Sequence, residues 1–331
     1  MFNIDIAIKF GSSEIIIYRK GFGVIAKEPA YLAVEENGKN LRVKATGKEA
    51  EKMFLSGSNN VSIYQPIENG EIVNEKMATI LFGEILSNAI QNRFMISKIS
   101  ALVAVPCALN ADQLSLIKKV LHHSGISKVE FVQNAVCVRQ GLSLDEDAYV
   151  MIVDIGKYIT DISVLNNSDF NFGRIHFIGG ADMDSSITTY IQDNHNVEIS
   201  DQYSESIKNE VASLYERDMY KTTYIGIDSN NKFVKNTITA NEVRVSITNV
   251  YDKICELIKG ILTEVPKEVA AQVYSNGIVF VGGGSRVAGL YEYIKKKIDA
   301  PIIVSEDPTD SVIQGAAILL GKNKEFIKIE F

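Results

Sequence analysis

Two stretches half a chain apart share one construction, and that recurrence constrains the fold more than any other feature. IAIKFGSSEIIIY turns at Gly11, Ser12 and Ser13, and YVMIVDIGKYITDISVL (149–165) turns at Gly156. Each runs an apolar strand into a glycine turn and a second apolar strand out. Such a turn can offer backbone N–H groups and hydroxyls to a phosphate. Two halves opened by the same hairpin imply a duplicated α/β unit, with ligand expected in a cleft between the halves, outside the strand ends.

The segments between the hairpins fit that plan. EIIIY, YLAVE and NLRVKATG read as strands, and KEAEKMFL as a short helix. Residues 74–92 carry apolar side chains at spacings of three and four, which predicts an amphipathic helix. ALVAVP is a buried strand ended by proline, and NADQLSLIKKVLHHSG is a helix with Asn110 as N-cap and Gly125 as its stop. VEFVQNAVCVRQGL predicts a strand followed by a helix. In the second half, a helical region is predicted over 181–220 and a polar hairpin over about 222–239. TANEVRVSITNVYDKICELIKGILTEV is a long helix, and GIVFVGGGSRVAGLYEYIKKKI is a buried strand, a triple-glycine turn and a helix.

Composition narrows the class. The chain has 331 residues, 46% hydrophobic and 23% charged, with a net charge of −7, which suits one large or two medium globular domains. Lys and Arg form no basic stripe, so nucleic acid is not expected as a partner. Cys107, Cys137 and Cys255 are widely spaced, which argues against a disulfide framework or a zinc site. The start, MFNIDIAIKF, does not read as a signal peptide, and no apolar run approaches the roughly 18 residues of a membrane span, so a cytoplasmic protein is expected.

The two hairpins together with the late VGGGSRVAGL turn resemble the phosphate-1, phosphate-2 and adenosine motifs of the actin superfamily. The sequence is most similar to the MreB-like bacterial actins, nearly end to end. QPIENGEIVN, GGADMDSSITTYIQDNHNVEISDQYSESIKNEVAS, GIVFVGGGSRVAGL and APIIVSEDPTDSVIQGAA carry the resemblance. It implies an actin-like α/β fold of two RNase H-like halves with a cleft between them. Half I would span 1–145, with a small subdomain at about 31–69; half II would span 146–331, with a small subdomain at about 180–240. It also implies a cytoskeletal ATP-binding filament protein acting in bacterial cell shape. By the same resemblance, Gly11, Ser12, Ser13, Gly156, Gly282, Gly283, Gly284 and Ser285 would cradle the nucleotide. Glu205 and Lys208 match an ExxK pair that reaches the ribose; their spacing of three puts both on one helix face.

The phosphate and metal half departs from the pattern. The family's phosphate-1 motif reads D-x-G, and here it is Lys9-Phe10-Gly11. Asp5 lies four residues back, roughly 13 Å along a strand. Phosphate-2 reads D-x-G-G-G-T, and here it is Asp154-Ile155-Gly156-Lys157-Tyr158-Ile159. The water-orienting glutamate of the family aligns with Gln133-Asn134, whose amides can hold a water but cannot accept its proton as a carboxylate does. Efficient Mg²⁺-ATP hydrolysis is therefore not expected, and ATP binding is expected to be weak or independent of metal.

Two uses of the new cations follow. Lys9 can pair with Asp154 and tie the halves without metal, with Tyr158 filling phosphate space. Alternatively, Lys9 and Lys157 bind phosphate in place of magnesium. The expected partner is a second copy of the chain or an MreB-like paralogue that the chain regulates; an ATPase working through replacement residues is a further alternative. Phe94, Met95 and Ile96, flanked by Arg93 and Lys98, suit contact with the inner face of the cell membrane, or else begin a buried strand.

Overall fold

The computed structural model describes residues 3–37, 40–56, 61–90, 98–145, 147–166 and 170–321. The chain divides into two compact units: Met1–Leu144 with Asp310–Phe331, and Asp145–Thr309.

Unit 1 begins with β1 (Asn3–Phe10), β2 (Glu14–Arg19) and β3 (Gly23–Pro29). Then come β4 (Leu32–Asn37), β5 (Asn40–Thr46), α1 (Gly47–Leu55), β6 (Ser62–Tyr64), β7 (Ile67–Glu68) and β8 (Glu71–Ile72). They are followed by α2 (Glu75–Ala89), β9 (Lys98–Val105), α3 (Ala111–His123), β10 (Lys128–Gln133) and α4 (Asn134–Gly141). Its main sheet has the order β10-β9-β1-β2-β3. β1 pairs antiparallel with β2 and parallel with β9, so the hairpin strand is central. Ile6, Ala7 and Ile8 are fully buried there. A strand covered on both faces must read as a near-continuous apolar run, and IAI does. Each fully buried Ile or Leu contributes roughly 1.5–3 kcal/mol.

Unit 2 repeats the plan. It runs through β11 (Val150–Ile155), β12 (Thr160–Leu165), β13 (Phe170–His176), α5 (Gly180–His195), β14 (Val197–Glu198) and α6 (Asp201–Val211). After these come β15 (Lys221–Asp228), β16 (Phe233–Thr239), α7 (Ala240–Glu264), α8 (Lys267–Asn276), β17 (Ile278–Val281), a 3-10 turn at Gly283–Arg286, α9 (Leu290–Lys295) and β18 (Ile302–Val304). The main sheet has the order β13-β12-β11-β17-β18, an antiparallel meander joined to two parallel strands as in unit 1. The duplication read from the two hairpins is thus a duplication of sheet topology.

Local chemistry sets the helix ends. Asn110 and Gln113 form a capping box on α3, with reciprocal bonds of 2.9 and 2.8 Å. Thr239 and Glu242 cap α7 in the same way. The helix expected over 181–220 is broken: Asn196 takes a left-handed φ of 54° and ends α5, β14 intervenes, and α6 stops at Val211. The sequence reading named neither the edge strand β3 nor the helix α8, and it also passed over β13 and the short strands β6, β7, β8, β14 and β18.

The second half was expected to run to 331, but the chain returns to unit 1 at Asp310. The reason is α10 (Ser311–Gly321), which packs on α4 and β1. Its Gly315 approaches α4 so closely that a Cβ there would stand 1.7 Å from the Cys137 carbonyl oxygen. Overpacking of this kind costs about 1–3 kcal/mol, occasionally more. Gly315→Ala is expected to lower the stability measured by urea unfolding by that amount; an unchanged midpoint would mean the α4–α10 crossing is not held this tightly.

Candidate functional site

The first site group lies in unit 2, where β11 and β17 end side by side with Asp154 paired to Val281. Beyond β17 the chain turns at Gly282, whose φ of 85° suits glycine. A Cβ at Gly282 would stand 2.3 Å from Asp154 Oδ1 and 2.4 Å from the Ile155 carbonyl oxygen, and one at Gly284 would stand 2.3 Å from Ile155 Cγ2. Gly283 differs: a Cβ there would meet nothing within 4 Å. Gly282 and Gly284 therefore serve close packing on β11, while Gly283 faces open space. Tyr251, fully buried on α7, donates its hydroxyl to the Gly284 carbonyl at 2.7 Å. Burial pushes that phenol up, so it stays a donor. Ser285 is buried, and its hydroxyl donates to the Val281 carbonyl at 2.6 Å. A cavity of about 390 Å³ opens beside this turn, lined by Ser285, Arg286, Tyr215, Tyr291, Glu306 and Pro308 among others.

The hairpin turn of unit 2 is tied to α5 and α6. The Gly156 N–H donates to the Ile159 carbonyl at 2.8 Å. The Gly156 and Lys157 carbonyls accept from Gly180 and Ala181 at 2.9 and 2.7 Å, so two of the first N–H groups of α5 are spent on the turn. Lys157 extends to Glu205 on α6, with Nζ 3.1 Å from Oε2, and lies 5.8 Å from the centre of the Tyr158 ring. One turn further along α6, Lys208 sits 2.7 Å from Asp184 and donates to the Gly180 carbonyl at 2.9 Å. Burial raises the Asp184 pKa, opposed by the Lys208 ammonium.

Glu205 and Lys208 thus share a helix, as their spacing predicts, but each pairs with a different element. Asp184 escaped the sequence reading. Its signal was present: it occupies the buried face of α5 with Gly180, Ile187 and Ile191, where an acid needs a partner.

The second group lies in unit 1. The Gly11 turn has the same tight closure as Gly156: a Cβ would stand 2.6 Å from the Glu14 carbonyl oxygen in one and 2.9 Å from that of Ile159 in the other. Ser12 Oγ accepts from the Gly70 N–H at 2.6 Å, and the Ser13 carbonyl from Ala30 at 3.2 Å. Lys9 lies on β1 opposite Ile16 and Ala104, and its charge is felt by Glu14. Glu14 is raised by burial and lowered by Lys27 and Lys9. Gln133 and Asn134 join β10 to α4; both are buried, and Gln133 Oε1 and Asn134 Oδ1 lack a hydrogen-bond partner among the described residues. Lys9 belongs to unit 1 and Asp154 to unit 2. Phe94, Met95 and Ile96 lie outside the described residues.

Two units of one sheet topology, each opened by a glycine hairpin, define an actin-like α/β protein. MreB5 of Spiroplasma citri bound to AMPPNP superposes with a TM-score of 0.88, covering 96% of each chain at 24% identity. A MamK double helical filament superposes at 0.80, over 97% of this chain and 100% of that one, at 21% identity. The profile of the family described as MreB/Mbl protein matches residues 3–328, so the chain belongs to the MreB/Mbl family. The cell shape-determining protein Mbl of Bacillus subtilis is 26% identical, over 97% of this chain and 96% of its own. The cell shape-determining protein MreB of Escherichia coli is 27% identical, over 99% and 95%.

The residues present do not fit the divalent ion that the resemblance implies. The resemblance puts a metal-binding acid at position 9, and the group that stands there is an ammonium, which cannot ligate a cation.

The glycines and the ion pairs generate separate expectations. Gly282→Ala should cost about 1–3 kcal/mol through the backbone clash and the positive φ, while Gly283→Ala should change stability by less than about 0.5 kcal/mol. Urea unfolding of the two variants checks this; equal losses would refute it. Asp184→Asn should cost about 3–5 kcal/mol by leaving Lys208 buried without its counter-ion. Glu205→Gln, in a half-exposed pair, should cost no more than about 1 kcal/mol. The same unfolding assay ranks the two, and the reverse order would overturn the assignment.

Proposed function

We propose that this chain is a cytoskeletal, filament-forming protein acting in cell shape or a related mechanical role, which binds an adenine nucleotide at the glycine turn of unit 2 and hydrolyses it weakly or not at all. The observation that carries the reading is the end-to-end match to a family whose curated members are cell shape-determining proteins. Supporting it, one structural neighbour is a double helical filament and another carries AMPPNP. Gly283 leaves backbone open for close approach by a ligand, and the cavity that the same turn lines at Ser285 and Arg286 has aromatic walls in Tyr215 and Tyr291 that suit a purine ring.

Weak hydrolysis follows from the groups at the places where the family resemblance expects chemistry. Gln133 and Asn134 present buried amide oxygens without a protein partner among the described residues, which can accept a hydrogen bond from water. Neither takes the proton that an attacking water must lose. Lys9 supplies positive charge where a metal ligand is expected, so the polymer-competent shape would not depend on Mg²⁺-ATP. No helix among the described residues is long and apolar enough to cross a membrane. Placement at the inner face of the membrane through Phe94, Met95 and Ile96 is part of this reading.

Electron microscopy of the purified chain tests it, first with EDTA and no nucleotide, then with Mg²⁺-ATP, alongside a phosphate-release assay. Filaments are expected under both conditions, with phosphate release near background. Failure to polymerise under either would overturn the self-assembly reading, and robust turnover abolished by chelator would overturn the account of the lost metal chemistry.

A further inference from the structure

The two lysines near the hairpin of unit 2 are held differently. Lys208 is committed: its side chain is 12% exposed, its partner Asp184 is 9% exposed, and it also donates to the Gly180 carbonyl. Lys157 is 23% exposed, and its partner Glu205 is 42% exposed. Glu205 stands on α6, whereas Lys157 stands on the turn itself, next to the Gly156 position expected to meet phosphate. A half-solvated carboxylate is released at little cost, because water replaces the ammonium it loses. A buried one is not, because no water reaches it.

We propose that Lys157 is an exchangeable counter-ion site for the polyphosphate of a nucleoside di- or triphosphate, and that Glu205 is the internal anion that competes with the ligand for it. Lys208–Asp184 is the fixed pair that holds α6 against α5 while the exchange takes place. This inference rests on the nucleotide reading above and adds to it a ligand group, a competitor and a form of regulation. Phosphate enters as carboxylate leaves, so the ammonium keeps an anionic partner throughout the exchange. The ammonium on its flexible stem follows the phosphate as a point charge, and the Tyr158 ring beside it limits where it can swing. Glu205 then acts as a built-in inhibitor, setting a threshold concentration below which the turn stays pinned to α6.

The test is calorimetry in EDTA with inorganic triphosphate, adenosine and ATP, on the full chain and on K157A, E205Q and the double variant. Circular dichroism confirms that each is folded. Triphosphate should bind the wild type, weaken at least tenfold in K157A, and tighten about three- to tenfold in E205Q. The gain from E205Q should shrink by at least threefold when Lys157 is absent, because there is then no ammonium to compete for. K157R should keep most of the affinity. The inference is overturned if E205Q leaves triphosphate binding unchanged or weaker, or if its gain is the same with and without Lys157, even where ATP and adenosine bind normally. If instead the triphosphate results hold but ATP gains nothing over triphosphate and adenosine does not bind, the counter-ion site stands and the nucleotide reading falls.

Discussion

Burial of β1 and β11 on both faces is the constraint on which the rest of the structure depends. A strand covered above and below can present function only at its ends, where the chain must turn. Both central strands end in a glycine whose added Cβ would meet the carbonyl three residues on, at Glu14 in one unit and Ile159 in the other. In unit 2 a second turn, at Gly282, is drawn against the end of β11 because β17 runs parallel beside it. The same packing that buries Ile152, Val153 and Phe280 therefore brings two glycine turns together. Tyr251 holds the second of them from below, through a hydrogen bond that burial protects.

Charge at this site is arranged in two grades. Asp184 and Lys208 lie inside, and the cost of desolvating them is offset only while both remain. Lys157 and Glu205 lie nearer solvent, where the pair stabilises little and exchanges readily. Together they alternate in sign across α5, α6 and the hairpin turn. In unit 1 the lysine at position 9, where the motif of the family carries an acid, places positive charge within reach of Glu14. Gln133 and Asn134 keep hydrogen-bonding capacity while giving up basicity. These changes share a direction: at positions 9, 133 and 134 the chain carries an ammonium and two amides, which form hydrogen bonds and ion pairs but do not take up a proton at neutral pH.

Much of the fold was legible because its signals are local. Asn110 announces a helix start through its own side chain, and IAI and VMIV announce buried strands through unbroken apolarity. The ExxK spacing placed Glu205 and Lys208 on one helix face. Apart from the stop of α5, which is local, what was missed depended on distance. The end of α5 turned on one left-handed residue, Asn196, inside an otherwise helical pattern. The return of α10 to unit 1 depends on Gly315 meeting Cys137, two residues separated by the whole of unit 2, and no local period reports such a pair. Asp184 was visible as an acid on an apolar face, but Lys208 as its partner was not.

By itself, the sequence determined the duplicated α/β plan, the glycine turns, the family likeness and the loss of acid at position 9. These follow from side-chain periodicity, backbone freedom and residue identity, which need no knowledge of neighbours. Only the tertiary structure decided which cation meets which anion, which of three adjacent glycines is open, and to which unit the last helix belongs. Those depend on packing between segments remote in sequence, where small displacements and the exclusion of water determine the energy.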